Sequence, residues 1–216
     1  ENRGIKEADL MLLLARELKD TLLRTGDYDV LLTRDADVFV SLEDRVRLAH
    51  QRGADVFISL HADALAQGVA HGARIFTLSD EASDAASAAL AERHDRLDIL
   101  SGIDLNGADD VVTDVLLDLA RLETAPRARA LAKSVLAGIE DATGDLYKLP
   151  LQQAAFSVLK AADIPSILIE AGFLSTDQDL DNLVDPLWRA GFIAGLRDGL
   201  AAWVISDRAE AVLRRR

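Results

Sequence analysis

The sequence predicts an α/β fold, an open, twisted, mostly parallel sheet with helices on both faces. Three observations carry this. Helical and strand-like stretches alternate along the chain. The strand-like stretches are short apolar runs, as expected of strands buried on both faces. Three of them end on a polar residue: Tyr28-Asp-Val-Leu-Leu-Thr-Arg34, Asp55-Val-Phe-Ile-Ser-Leu-His61 and Ile164-Pro-Ser-Ile-Leu-Ile-Glu170. Ligands of parallel sheets bind beyond the carboxyl ends of the strands. His61, Glu170 and Arg34 therefore outline a site.

Residues 6–24 predict an amphipathic helix, with Leu10, Leu14, Leu18 and Leu22 on one face and Gly26 at its end. Glu7 lies in its first turn, where a carboxylate favours the helix dipole. A parallel α/β domain that opens on a helix is expected to lack its first strand, and the pattern favours a fragment. A strand is predicted over 28–34. Ser41 reads as the N-cap of a helix over 42–51. Arg52-Gly53-Ala54 turns the chain into strand 55–60, which delivers His61. A loop over 62–72 and a strand over 73–78 follow. A helix starts at Ser79-Asp80 and runs to about His94. Residues 95–110 show no period and read as a long loop. Two helices are predicted next, 111–121 and 126–142, the second with Pro126 in its first turn. A loop from Asp145 leads to a strand over 155–159. Asp163-Ile-Pro165 then turns into strand 166–170, and a last helix covers 186–204. No repeat or linker divides residues 1–216.

Composition narrows the function. Half of the 216 residues are hydrophobic, enough for a sizeable core. A net charge of -13 argues against nucleic acid as a partner, since phosphate binding needs a basic face. No cysteine is present, which removes disulfides, thiolate metal sites and thiol catalysis. No apolar run reaches the roughly 18 residues of a membrane span. The chain starts at Glu1 with no signal peptide visible.

Histidine is the commonest metal ligand and a carboxylate is a good hard partner. His61 reads either as a metal ligand or as a strand-end histidine bonded to a backbone carbonyl. Glu7 is a candidate second ligand. Glu170, directly after Ile-Leu-Ile, is costly to bury without compensation. It reads as a general base beside a metal-bound water or, structurally, as a partner of Arg34. His50, His71 and His94 read as helix-end, loop or surface residues.

Five pieces of sequence carry a resemblance: Lys6-Glu7, Leu32-Thr33-Arg34, Ile58-Ser59-Leu60-His61-Ala62-Asp63, Gln153-Ala-Ala-Phe-Ser-Val-Leu-Lys160 and Ile164-Pro-Ser-Ile-Leu-Ile-Glu170-Ala-Gly-Phe-Leu-Ser175. In this order they resemble the zinc-dependent N-acetylmuramoyl-L-alanine amidases. The long segment 79–125 is similar to an inserted regulatory region of the periplasmic cell-division amidases of Gram-negative bacteria. The resemblance implies a catalytic domain over 1–216, truncated at its N-terminus, with a regulatory insertion at about 79–125. It implies Zn2+ held by Glu7 and His61, and Glu170 as the catalytic carboxylate. The bond cleaved would join N-acetylmuramic acid to the L-alanine of the stem peptide in peptidoglycan. A further ligand, in a Gly-His-Gly-type turn after the family's first strand, would precede Glu1. Asp63 adds a carboxylate near the metal.

In the related amidases a helix of the insertion blocks the zinc cleft, and an activator protein with a degenerate metallopeptidase-like domain helps displace it. Glu81 is the first candidate for the blocking carboxylate, placed by the prediction at the same sheet end as His61. Glu92, Asp114 and Glu123 follow. Each also reads as a dipole partner or a solvated acid. The alternatives to the enzyme are a non-catalytic peptidoglycan-binding or regulatory relative, and a different zinc hydrolase such as a carboxypeptidase. For the last, Arg34 is the one cation in place to receive a terminal carboxylate.

Overall fold

A computed structural model of the chain describes residues 2–63, 70–100 and 111–214. Among these, four strands form one sheet in the order β1-β4-β2-β3: β1 Phe57–Asp63, β2 Ala73–Leu78, β3 Leu146–Ala154 and β4 Ser166–Phe173. The β1–β4 and β2–β3 pairs are parallel, and β2 runs antiparallel to β4. The predicted mostly parallel sheet is therefore present, with an antiparallel seam in its middle. Because of that seam, the carboxyl ends of β1 and β4 lie beside the amino end of β2.

Six α-helices among the described residues flank the sheet: α1 Glu7–Thr25, α2 Leu42–Gln51, α3 Ala85–Leu100, α4 Val111–Thr143, α5 Asp177–Val184 and α6 Pro186–Arg214. Side chains alternate along each strand, so each strand feeds two cores. Ile75, Ile167 and Ile169 face α1, α4 and α6, where they meet Leu14, Leu131 and Phe192. Phe57, Phe76 and Leu168 face the other way, towards α2, α3 and Phe156. On the first face α4 and α6 are in backbone contact. A Cβ added at Gly138 would stand 2.2 Å from the Gly195 oxygen, so glycine is required there. No helix among the described residues is long and apolar enough to cross a membrane.

Several boundaries differ from the sequence prediction, each for a local reason. The third helix starts at Ala85, because Asp84 caps it: its carboxylate accepts from the Ser87 amide at 2.7 Å. It runs to Leu100, so the predicted loop is helical over 95–100, and 101–110 lie outside the described residues. The two helices predicted around Pro126 are one, α4. Pro126 is exposed, and the apolar stripe of Ala128, Leu131 and Val135 continues beyond it, so packing overrides the lost amide bond. The strand expected at 155–159 lies earlier, over Leu146–Ala154, and Ser157–Leu159 form a 3-10 turn. Two glutamines disguise that strand, although Gln152 is buried opposite Phe76. Helix α5 has no counterpart in the sequence prediction, and α6 extends ten residues beyond the predicted end, to Arg214.

The largest difference concerns 28–34, which joins no ladder. Among the described residues β1 is the outer strand, and 28–34 faces it across a groove of about 1190 Å³. Met11, Leu18, Leu22, Val30, Ile58 and Trp203 line this groove. A strand is a pairing as much as a sequence, and no described strand lies beside 28–34 to pair with it.

Candidate functional site

The site forms where β1 and β4 lie side by side. His61 and Glu170 are register partners in the parallel pair, and Glu170 is also opposite Arg74 of β2. Residues opposite one another in a ladder share a face. His61, Glu170 and Arg74 thus form a polar row across three strands, on the face that α3 covers. Glu7, the first residue of α1, enters from the side. Its Oε1 lies 3.2 Å from His61 Nδ1 and accepts from the Ala62 amide at 3.2 Å. Nε2 of His61 meets the Ser59 hydroxyl at 3.0 Å.

Glu170 is fully buried. Its Oε2 accepts from the Asp63 amide at 3.0 Å, while Oε1 has no hydrogen-bond partner. Burial pushes this carboxyl up to about 7; the charges of Asp63 and Glu7 act in the same direction, and that of His61 opposes them. Burial works to raise the Glu7 carboxyl as well. There the hydrogen bond and charge of His61, with the Ala62 amide, outweigh it and hold the pKa below its ordinary value.

The geometry suits a metal at two of its donors. Adjacent corners of a tetrahedral zinc site with bonds of about 2.0–2.1 Å lie about 3.3 Å apart. The Glu7–His61 separation of 3.2 Å matches that spacing. With the Nε2 proton given to Ser59, the Nδ1 lone pair of His61 is free to face a metal, an orientation ligating histidines commonly take. The unpaired Oε1 of Glu170 lies in the same row. Arg34 does not pair with Glu170; its guanidinium donates to the carbonyls of Ala8 at 2.7 Å and Ala36 at 2.9 Å. It braces the start of α1, which carries Glu7.

The other candidates do not converge on the site. The sequence places Glu81 at the same sheet end as His61. Since β2 runs antiparallel to β4, Leu78 and the exposed Glu81 after it lie at the opposite end. Glu92 is exposed on α3 and pairs with Arg96. Glu123 is exposed on α4. The backbone of Asp114 is helical in α4, and its side chain lies outside the described residues.

Three residues of the site are not legible in the sequence. His94 of α3, which reads as a surface residue, stands edge-on to His61 with ring centroids 4.4 Å apart, and its Nε2 is 3.9 Å from Glu170 Oε1. Burial, then the charge of His61, lowers its pKa to about 3. Arg93 forms an ion pair with Asp63. Arg74 is buried among the rings of Phe76, Phe173 and Tyr147, 4.8 to 5.2 Å from their centroids. Burial is the main influence on it and lowers its pKa. The sequence shows alanine spacing along α3 and a lone arginine in β2; neither signals a site.

One further cluster, His71, Asp145 and Asp179, brings three donor atoms within 4.8 Å of one another. Asp179 already accepts from the Gly72 and Phe173 amides, and Asp145 from Asn182. These bonds fasten the turn after β4 to the start of β2, and His50, also outside the site, meets Asp163 at 2.6 Å.

Known proteins share this architecture and sequence. The family model described as N-acetylmuramoyl-L-alanine amidase matches residues 1–202. The N-acetylmuramoyl-L-alanine amidase AmiA of Escherichia coli K12 is 33% identical over 201 residues, which cover 93% of this chain and 69% of AmiA. The crystal structure of an N-acetylmuramoyl-L-alanine amidase from Clostridium difficile 630 has the same fold, with a TM-score of 0.68 at 23% identity, covering 94% of this chain and 87% of that one. The CwlD amidase of Clostridioides difficile, solved in complex with the GerS lipoprotein, matches with a TM-score of 0.68 at 17% identity, covering 95% and 90% of the two chains.

Proposed function

The chain belongs to the N-acetylmuramoyl-L-alanine amidase family, whose members hydrolyse peptidoglycan, and on that premise we propose a role for each site residue. Glu7 and His61 hold Zn2+, and Glu170 is the catalytic carboxylate. The bond cut is the amide between N-acetylmuramic acid and the L-alanine of the stem peptide. Zinc, when bound, lowers the pKa of a coordinated water and polarises the amide carbonyl. Glu170 accepts a proton from the attacking water and delivers it to the alanine nitrogen as the C–N bond breaks. The products are the lactyl carboxylate and a free amine. A carboxyl held near 7 can both take and return a proton at neutral pH. Ser59 holds the His61 ring in its orientation, and Arg34 fixes the start of α1 so that Glu7 stays in reach. The observation that carries this reading is the buried Oε1 of Glu170, which has no hydrogen-bond partner and belongs to the residue directly opposite His61 in the parallel ladder.

The finer parts of the reading rest on the family. The enzyme acts in the periplasm, in cell division. The segment 79–125 keeps the site closed until an activator binds; the CwlD amidase, which shares the fold, is solved in complex with another protein, the GerS lipoprotein.

Zinc content, measured together with dye release from labelled peptidoglycan, tests the mechanism. The chain, a form extended upstream and Glu170→Gln are compared. Zinc in the first two, and dye release lost in Glu170→Gln by about 10²–10⁴-fold with zinc retained, is the expected result. Equal dye release from Glu170→Gln would remove that residue from the chemistry.

A further inference from the structure

Strand β3 begins with an irregularity. While β2 advances from Ala73 to Ile75, β3 advances from Leu146 to Leu151, so residues 147–150 bulge out of the ladder. Pro150 lies in this stretch and has no amide to give to a ladder. Bulges re-aim side chains and are common beside active sites. This one lies at the site end of the sheet, because Arg74, the β2 residue it faces, is opposite Glu170. Tyr147 and Lys148 of the bulge, with Ala70 and His71 from the turn before β2, line a concavity of about 110 Å³.

The walls of this concavity are fixed, and its cations are unpaired. The Tyr147 ring lies against Phe173, with 5.7 Å between centroids. Two cations stand over the same ring, Arg74 at 5.2 Å and Lys148 at 5.8 Å. Arg74 is buried and donates to Gln152, and Lys148 is exposed; among the described residues neither has a carboxylate within ion-pair distance. A ring face attracts a cation but carries no net charge, so the positive potential remains. The acids nearby are engaged elsewhere. Asp145 meets His71 Nδ1 at 3.3 Å and accepts from Asn182 at 3.2 Å, and Asp179 accepts from the Gly72 and Phe173 amides. Gly72 presses the turn onto the start of β3, since a Cβ there would stand 2.5 Å from the Leu146 carbonyl carbon. In a chain of net charge -13, two unpaired cations over one ring mark a place for an anion.

We propose that this concavity is a subsite for a free carboxylate of the stem peptide. Lys148 is its ion-pair partner, and Tyr147 is the surface on which the peptide lies. With the Nδ1 proton of His71 given to Asp145, the other ring nitrogen accepts from a peptide amide. The proposal rests on the reading that the scissile amide sits at His61 and Glu170. Distance selects the carboxylate. From β1 to β3 the sheet order gives three strand spacings of about 4.8 Å, or about 14 Å. An extended peptide covers about 3.3–3.6 Å per residue, so about four residues bridge the two places. The carboxylate bound here is therefore one near the far end of the stem peptide, not one beside its L-alanine.

The test uses the zinc-loaded full chain and two ligands: N-acetylmuramoyl tetrapeptide, and the same compound amidated at the carboxylates of its last two residues. Binding is measured by calorimetry with Glu170→Gln in place, so that no ligand is consumed. Hydrolysis is followed in the otherwise unchanged chain by release of the free peptide. Lys148→Ala is expected to weaken binding of the free acid about fivefold and to raise its KM by the same factor, with no effect on the amidated ligand. Lys148→Arg, which keeps the charge, is expected to restore binding, and added salt to narrow the difference between the two ligands. Equal affinity of the chain for both ligands overturns the proposal. An equal loss with both ligands in Lys148→Ala also overturns it, because the lysine would then support the fold rather than read a carboxylate. Cleavage of both ligands without a Lys148 difference leaves the amidase reading standing while the subsite falls. If neither ligand is cleaved and the Lys148 difference persists in binding, the amidase reading falls and the carboxylate site stands. Binding of neither ligand overturns both.

Discussion

On one face of the sheet α4 and α6 meet backbone to backbone at Gly138 and Gly195. On the other, α3 has Ser87, Leu90 and Ala91 as the fully buried positions among its described side chains. The first face carries the larger apolar core, fed by Ile75, Ile167 and Ile169. The second carries the row His61, Glu170 and Arg74. The helix pair on the first face is closely packed, whereas the helix over the row buries few apolar side chains among those described.

The sharpest way to break this division is Gly138→Val. Its Cβ would lie 2.2 Å from the Gly195 carbonyl, so the two helices must part. A loss of at least about 3 kcal/mol is expected in urea denaturation; an unchanged midpoint would mean that the close approach is dispensable. A matched pair of truncations compares the faces directly. Leu131→Ala on α4 should cost about 2–5 kcal/mol of global stability. Leu90→Ala on α3, removing the same atoms from an equally buried site, should move global stability by less than about 1 kcal/mol while amide exchange over 85–96 accelerates. Equal global losses would make the two faces one cooperative unit.

The polar row adds a pH dependence of known sign. Glu170 is raised to about 7 in the folded chain from about 4.5 when unfolded, so the folded state holds its proton over that interval while the unfolded state has lost it. Its contribution is fully present below pH 4.5 and is lost as pH rises through 7. His94 works the other way. With its folded pKa at about 3, it costs stability as pH falls below 6.5 towards 3. In the metal-free chain, Glu170→Gln should therefore gain on wild type by about 2 kcal/mol between pH 5 and pH 8, read from urea midpoints. A pH-independent difference would show that Glu170 is not held protonated by burial. The smallest effect is expected from Glu92→Gln. With that side chain exposed and paired only across the helix surface, stability should change by less than about 0.5 kcal/mol and zinc content not at all. A clear change in zinc content would return Glu92 to the site.

Much of this is legible in the sequence, and the exceptions have physical causes. His61 and Glu170 can be found because an apolar run that stops on a polar residue is a local pattern, and strand pairing then brings the two runs together. Residues 73–78 and 42–51 carry clear local signals, and both elements are observed at those bounds. What fails depends on direction and partnership. The misplacement of Glu81 comes from the antiparallel β2–β4 seam, which no single strand sequence reveals. Strand 28–34 fails because no described strand lies beside it to pair with. His94 escapes notice because its meaning comes from the sheet beneath α3, and nothing in an alanine-rich helix announces what it lies on.

The acidity of the chain governs how the molecule behaves among its own kind. A net charge of -13 makes copies repel one another. Salt weakens the repulsion, since the screening length shrinks to about 3 Å at 1 M. Solubility should therefore fall as salt is added, and light scattering from concentrated samples should rise with ionic strength.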